Sequence, residues 1–138
     1  MTLDELVENF EFLGDWEEIY RYIIDLGRKL PPMPAEDKIP ENLVPGCTSQ
    51  VWLTAKVSDE TPPKITFIAD SDAHIVKGLV SIALMLYSNK TPEEILALDI
   101  NDVFEKLGLD KHLSPNRRNG FQSMLDKMKE IARQHLPA

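Results

Sequence analysis

Gln50-Val51-Trp52-Leu53-Thr54-Ala55-Lys56-Val57-Ser58 is the stretch on which the fold turns. Val51, Leu53, Ala55 and Val57 alternate with Trp52, Thr54, Lys56 and Ser58, the two-residue period of a strand with one buried face. Trp52 falls on the opposite, exposed face in this reading. Asp59 to Pro63 reads as a turn, and Lys64 to Ala69 as the antiparallel return strand. Residues Asn42 to Val44 add a short third strand. A small sheet set among helical patterns is the signature of an α+β domain.

The flanks are helical. Thr2 followed by Glu5 resembles a capping box, and Leu3, Leu6, Val7 and Phe10 share one helical face up to Gly14. Asp15 caps a second helix, with Glu18 three residues on and Trp16, Ile19, Tyr20, Ile23 and Leu30 in helical register. Pro31, Pro32, Pro34 and Pro40 then enforce a non-helical connector, because proline lacks an amide donor and restricts the residue before it. Beyond the strands, Ser71 or Asp72 caps a helix to about Ser88, apolar nearly all round and therefore central. Thr91-Pro92-Glu93-Glu94 starts another helix, with proline at its first position. Asp99 to Lys106 reads as a short turn, and Ser114-Pro115 opens a last helix to about His135.

Composition narrows the class. The 138 residues suit one domain spanning 1–138. Acidic residues number 23 against 15 basic, a formal net charge of −8, which argues against nucleic acid and for a basic docking surface on a partner protein. The longest apolar run, Gly78 to Tyr87, is too short to cross a bilayer. One cysteine and no secretory signal point to a reducing, cytoplasmic setting.

That cysteine, Cys47, follows Pro45 and Gly46 at a loop-to-strand junction, where the turn favours display of the side chain. A lone thiol forms neither an internal disulfide nor an all-cysteine metal site; its chemistry is that of a single sulfur nucleophile, and its bland alternative is a small buried hydrophobe. Asp70, Asp72 and His74 offer oxygen and nitrogen ligands, but their spacing at a strand-to-helix junction fits helix capping better than a metal, and no metal is assigned. A thiol-protease pair of Cys47 with His74 or His112 has no local signature. Arg117 lies in the first turn of the last helix, where a cation opposes the helix dipole by a few tenths of a kcal/mol. Such a local inconsistency marks either function or a side chain that swings to a nearby carboxylate.

Taken together, the Trp16 segment, Gly46-Cys47-Thr48-Ser49-Gln50-Val51-Trp52, Ser71-Asp72-Ala73-His74-Ile75-Val76-Lys77-Gly78-Leu79 and Leu113-Ser114-Pro115-Asn116-Arg117-Arg118-Asn119-Gly120 resemble the SufE family, sulfur acceptors for cysteine desulfurases in iron–sulfur cluster assembly. The resemblance implies the fold shared with IscU-type scaffold proteins, a three-stranded antiparallel sheet packed on helices. It implies that Cys47 receives sulfur as a persulfide and that Arg117 steadies the loop or the sulfur anion. Gly46, Ser49, Asp70, Asp72, His74 and Lys77 become candidates for partner binding. Scaffolds of this fold hold a cluster with three cysteines, so cluster binding does not carry over.

On this reading the chain is not a stand-alone enzyme and has no cofactor, since pyridoxal phosphate belongs to the desulfurase. Its partners are the desulfurase and a downstream sulfur acceptor such as a cluster scaffold, and it is a monomer or a weak homodimer pairing through an exposed Trp52 or Phe12. A free thiol has a pKa of about 8.5, so little thiolate forms at neutral pH without help from a cation or helix end. Rest against apolar side chains and exit on docking would satisfy a carrier that must shield its sulfur. Two alternatives stay open: a one-cysteine redox enzyme cycling through sulfenic acid, and an allosteric activator in which Cys47 only packs.

Overall fold

A computed structural model describes residues 2–45 and 50–136, with the backbone alone at residues 100 and 101. Helices α1 (Leu3–Leu13) and α2 (Trp16–Arg28) come first. Thr2 Oγ1 accepts from the Glu5 N–H (3.2 Å), and Asp15 Oδ1 accepts from the Glu17 N–H (3.1 Å). Gly14, at φ 64°, takes the left-handed turn between them, which an L side chain resists. Helix α2 stops at Arg28, short of the expected Leu30, because Pro31 excludes helical backbone from the residue before it.

Strands β1 (Val51–Val57) and β2 (Ile65–Ser71) pair antiparallel in the register Val51↔Ser71 to Val57↔Ile65. Among the described residues the sheet has these two strands, and the expected third strand at Asn42–Val44 is replaced by a single bridge of Leu43 to Trp52. Pro40 opens a 3-10 turn, Pro40–Asn42, and the Asn42 amide donates to the Asp37 carbonyl at 2.8 Å. The chain is thus coiled until Leu43. The other edge, along β2, is covered after the central helix, where the Ile65 N–H donates to the Lys90 carbonyl and the Phe67 N–H to Ser88 Oγ.

Helices α3 (His74–Tyr87), α4 (Pro92–Ala97), α5 (Ile100–Leu107), α6 (Leu109–His112) and α7 (Pro115–Gln134) follow. Where the sequence suggested a turn at Asp99–Lys106 there is α5, whose Val103, Phe104 and Leu107 are buried. Phe104 stacks on Phe121 of α7 with ring centroids 4.4 Å apart. Thr91 and Glu94 form the full reciprocal capping box at the head of α4. The core runs from Leu6 to Ala132, with Ile75, Leu79, Val80, Ile82, Ala83 and Leu86 of α3 at its centre. Trp52, expected on the solvent face, is only 9% exposed, whereas Phe12 is 90% exposed. The proline-rich connector folds back over Trp52, with Lys38 Nζ 5.4 Å from its ring centroid. Both faces of the first half of β1 are therefore covered.

Helix α3 packs on β2 and crosses α2 at two glycines. A Cβ at Gly27 would lie 2.6 Å from the Gly78 nitrogen, and one at Gly78 would run into the carbonyl oxygen of Ile23. The crossing depends on backbone meeting backbone. Gly78→Ala is expected to lower stability by about 1–3 kcal/mol, since overpacking of this kind forces backbone shifts. Thermal unfolding followed by circular dichroism measures it, at about 2–8 °C of melting temperature per kcal/mol.

Candidate functional site

Cys47, Gly46 and Ser49 lie outside the described residues; the structure describes the framework on either side of them. On the entry side, the Val44 N–H donates to the Val51 carbonyl at 2.8 Å. On the exit side, the Gln50 N–H donates to Asp72 Oδ1 (3.0 Å), and the Gln50 carbonyl accepts from Ser71 Oγ (2.8 Å) and from the Asp72 N–H (3.3 Å). Both ends of the segment carrying Cys47 are thereby tied to β1 and to the β2–α3 junction.

The residues expected to cap α3 supply that tie. Its N-cap is Ala73, with no side-chain cap bond, and Ser71 Oγ accepts the Ala73 N–H at 3.2 Å. Asp72 spends its carboxylate on Gln50, and the capping expectation gives way because the strand-to-helix corner brings Gln50 within reach. His74 begins α3 and is exposed.

Asp70 is opposite Trp52 in the strand pair and is 3% exposed. Its Oδ1 accepts the Ser71 N–H (2.8 Å) and faces Lys77 Nζ (3.4 Å), while Oδ2 meets Lys38 Nζ (3.1 Å). Burial pushes the carboxyl upward, but the Ser71 N–H, the Lys38 hydrogen bond and the two lysine charges together hold it below the ordinary carboxylate value. Asp70 therefore does not present itself to a partner: it fastens the connector, β2 and α3 to one another. Lys77 is turned inward to the same carboxylate, leaving Asp72 and His74 as the exposed members of the set. Lys38 was not among the expected site residues; a lone base between Asp37 and Ile39 in a proline-rich segment gave no periodic signal.

Arg117 is at the third position of α7, where its N–H donates to Ser114 Oγ (3.3 Å) and its guanidinium to the Tyr20 hydroxyl (3.1 Å). Tyr20 thus holds Arg117 where a carboxylate was the expected competitor. One turn earlier on α2, Trp16 stacks on His112, with centroids 4.1 Å apart and planes at 18°. The pair Trp16 and Tyr20, read from sequence only as part of the helical register of α2, fixes the segment from His112 to Arg117. Among the described residues no group of three or more His, Cys, Asp or Glu side chains is placed to hold a metal, and no helix is long and apolar enough to cross a membrane.

The SufE family model, an Fe-S metabolism associated domain, matches residues 4–132. The chain belongs to the SufE family. A SufE-like protein of Rhizobium meliloti (strain 1021) is 48% identical over 138 residues, 99% of each chain. Another, from Rhizobium etli, is 49% identical over 133 residues, 96% of this chain and 90% of that one. The solution structure of a hypothetical protein from Thermus thermophilus superposes with a TM-score of 0.77 at 20% identity, covering 99% of this chain and 96% of that one, a likeness of fold. SufE membership puts the chain in iron–sulfur metabolism.

Replacing Asp70 by asparagine leaves Lys38 and Lys77 without their anion. Both lysines are partly solvated, at 36% and 26% side-chain exposure, so the expected cost is about 1–3 kcal/mol rather than that of a fully buried pair. The sign with pH follows from the depressed folded value: Asp70 contributes fully above its unfolded pKa of about 3.9, and the contribution fades as pH falls through the lower folded value. Urea unfolding between pH of about 7 and about 2 should show Asp70→Asn less stable near neutrality, with the gap to wild type closing below pH of about 4.

Proposed function

We propose that the chain accepts sulfur on Cys47 from a cysteine desulfurase, stimulates that enzyme and passes the sulfur on for iron–sulfur cluster assembly. The observation that carries this is the pairing of a single thiol, flanked by anchored backbone at Val44 and Gln50, with a SufE match over residues 4–132. The step balances without an outside oxidant. The Cys47 thiolate attacks the terminal sulfur of the donor's cysteine persulfide; the donor S–S bond breaks, its electron pair leaves on the donor thiolate, and the new S–S bond forms on Cys47. The persulfide proton travels with the transferred sulfur, and the proton given up by Cys47 balances the thiolate left on the donor. Pyridoxal phosphate acts earlier, on the desulfurase.

The nucleophile has to be a thiolate, and a cation lowers the cost of the anion. Arg117, carried by the α7 N-terminus and restrained by Tyr20, is the residue we assign to steadying the Cys47 loop or its sulfur anion. Docking uses the loop face, with Gly46, Ser49, Asp72 and His74 as contacts, while Asp70 and Lys77 brace the β2–α3 junction that carries Asp72 and His74.

Intact-protein mass spectrometry after incubation with a desulfurase and cysteine tests the reading. Wild type should gain the mass of one sulfur atom, removable by a reductant, and Cys47→Ser should gain none and lose stimulation. Full stimulation by Cys47→Ser would instead establish an allosteric activator. Arg117→Ala should slow sulfur uptake by about tenfold, the scale of about 1.4 kcal/mol of lost stabilisation; an unchanged rate removes Arg117 from the site.

A further inference from the structure

Helix α1 sorts its residues sharply. At about 100° per residue, Asp4, Glu5, Glu8, Glu11 and Phe12 fall within about one third of the circumference, and all five are exposed. Leu6 and Phe10 face the core, with α2 and α5 as the neighbours. The outer face breaks two local rules at once. Phe12 is 90% exposed, against 40% for Ile39, the next large apolar side chain among the described residues. Glu11 sits in the last turn, where the helix dipole disfavours a carboxylate, and that turn has no basic residue. Asp4 and Glu5 have a structural reason at the first turn; Glu8 and Glu11 have none.

The neighbouring acids behave differently. Glu17 and Glu18 on α2 both pair with Arg21 at 3.3 Å, whereas α1 contains no lysine or arginine. Among the described residues the side chains of Asp4, Glu5, Glu8 and Glu11 take part in no salt bridge. An aromatic ring held out in water beside unneutralised carboxylates is the arrangement of an interface anchor: the ring fills an apolar cup and the acids meet a basic rim. A second copy of the chain does not fit, because a two-fold contact through Phe12 would set the same carboxylates against each other. An anionic membrane or a nucleic acid is repelled by the same charges.

We propose that the outer face of α1, with Phe12 as its apolar anchor and Glu8 and Glu11 as its charged rim, is a docking surface for the basic face of the cysteine desulfurase. This rests on the sulfur-acceptor reading for the identity of the partner. The surface is built on an element other than those that anchor the Cys47 segment, so it sets affinity and leaves the sulfur-transfer step alone.

The test measures binding and loading separately, with a purified desulfurase immobilised for binding and, in solution with cysteine, for Cys47 loading. Phe12→Ala preserves the fold, since the ring is exposed and alanine favours helix. It should weaken binding about fivefold to tenfold. Glu8→Lys with Glu11→Lys should weaken it at least as much, and wild-type binding should weaken as added salt screens the charges. At saturating desulfurase both variants should load Cys47 at the wild-type rate. Wild-type affinity in both variants overturns the docking surface whatever happens at Cys47, as does self-association of wild type that Phe12→Ala abolishes. Normal wild-type binding without any sulfur on Cys47 overturns the acceptor reading and leaves the surface standing.

Discussion

The carboxylate of Asp70 is the contact through which the three parts of the site framework meet. It is buried, it carries two lysines and a backbone amide, and each partner comes from a different place: Lys38 from the proline-rich connector, Ser71 from the end of β2, Lys77 from the first turns of α3. A two-stranded ribbon is marginal by itself, and its edge strand β1 has only Leu43 bridging it on the outer side among the described residues. The connector is held in place by the burial of Met33 and Val44 together with the Lys38 ammonium, shared between the indole ring and Asp70. With Lys38 and Lys77 around Asp70 and the Asp72 carboxylate on the Gln50 N–H, two cations and two anions balance in this framework, in a chain whose net charge is −8.

From there the framework extends through backbone. Asp70 fixes Ser71, and Ser71 with Asp72 grips Gln50 through three hydrogen bonds. A capping residue stabilises its own helix by about 1 kcal/mol, and α3 forgoes that contribution because its apolar circumference is buried against β2, α2 and α7. Tertiary packing makes the helix secure, and its two polar entry residues are thereby free to serve the loop. The glycine crossing of α2 with α3 belongs to the same logic: close backbone approach sets α3 deep in the core, and α2 in turn presents Trp16 and Tyr20 to the segment leading into α7.

Much of this was legible in the sequence. Period-two alternation located β1, the turn after it located β2 as the return strand, and helical periodicity with caps located α1, α2, α3, α4 and α7, because those signals are local. Three expectations about the strands and their surroundings shifted. The third strand at Asn42–Val44 shrank to one bridge because Pro40 and the Asn42–Asp37 bond coil the approach. Trp52 became buried because a connector with no periodicity of its own folds over it. Asp70, Asp72 and His74 read as a set by spacing, yet β2 ends at Ser71, so Asp70 lies within the strand beneath the Lys38 contact while Asp72 and His74, past its end, are exposed. Lys38 and Tyr20 carried no motif, since a lysine in a loop and a tyrosine on an amphipathic helix look ordinary until their partners are known.

Arg117 shows how such an ordinary partner changes the meaning of a residue. A guanidinium in the first turn of α7 faces the positive end of the helix dipole, and a carboxylate partner would relieve the conflict while cancelling the charge. The Tyr20 hydroxyl relieves nothing electrostatically; it accepts one N–H at 3.1 Å and leaves the full positive charge in place. The dipole and the guanidinium then add their fields instead of opposing an internal anion. A protein selected only for stability would place an acid at that position on α2, as it does at Glu17 and Glu18 beside Arg21. The neutral Tyr20 partner leaves the charge of Arg117 uncancelled, which is what the role we propose for it toward a Cys47 sulfur anion requires.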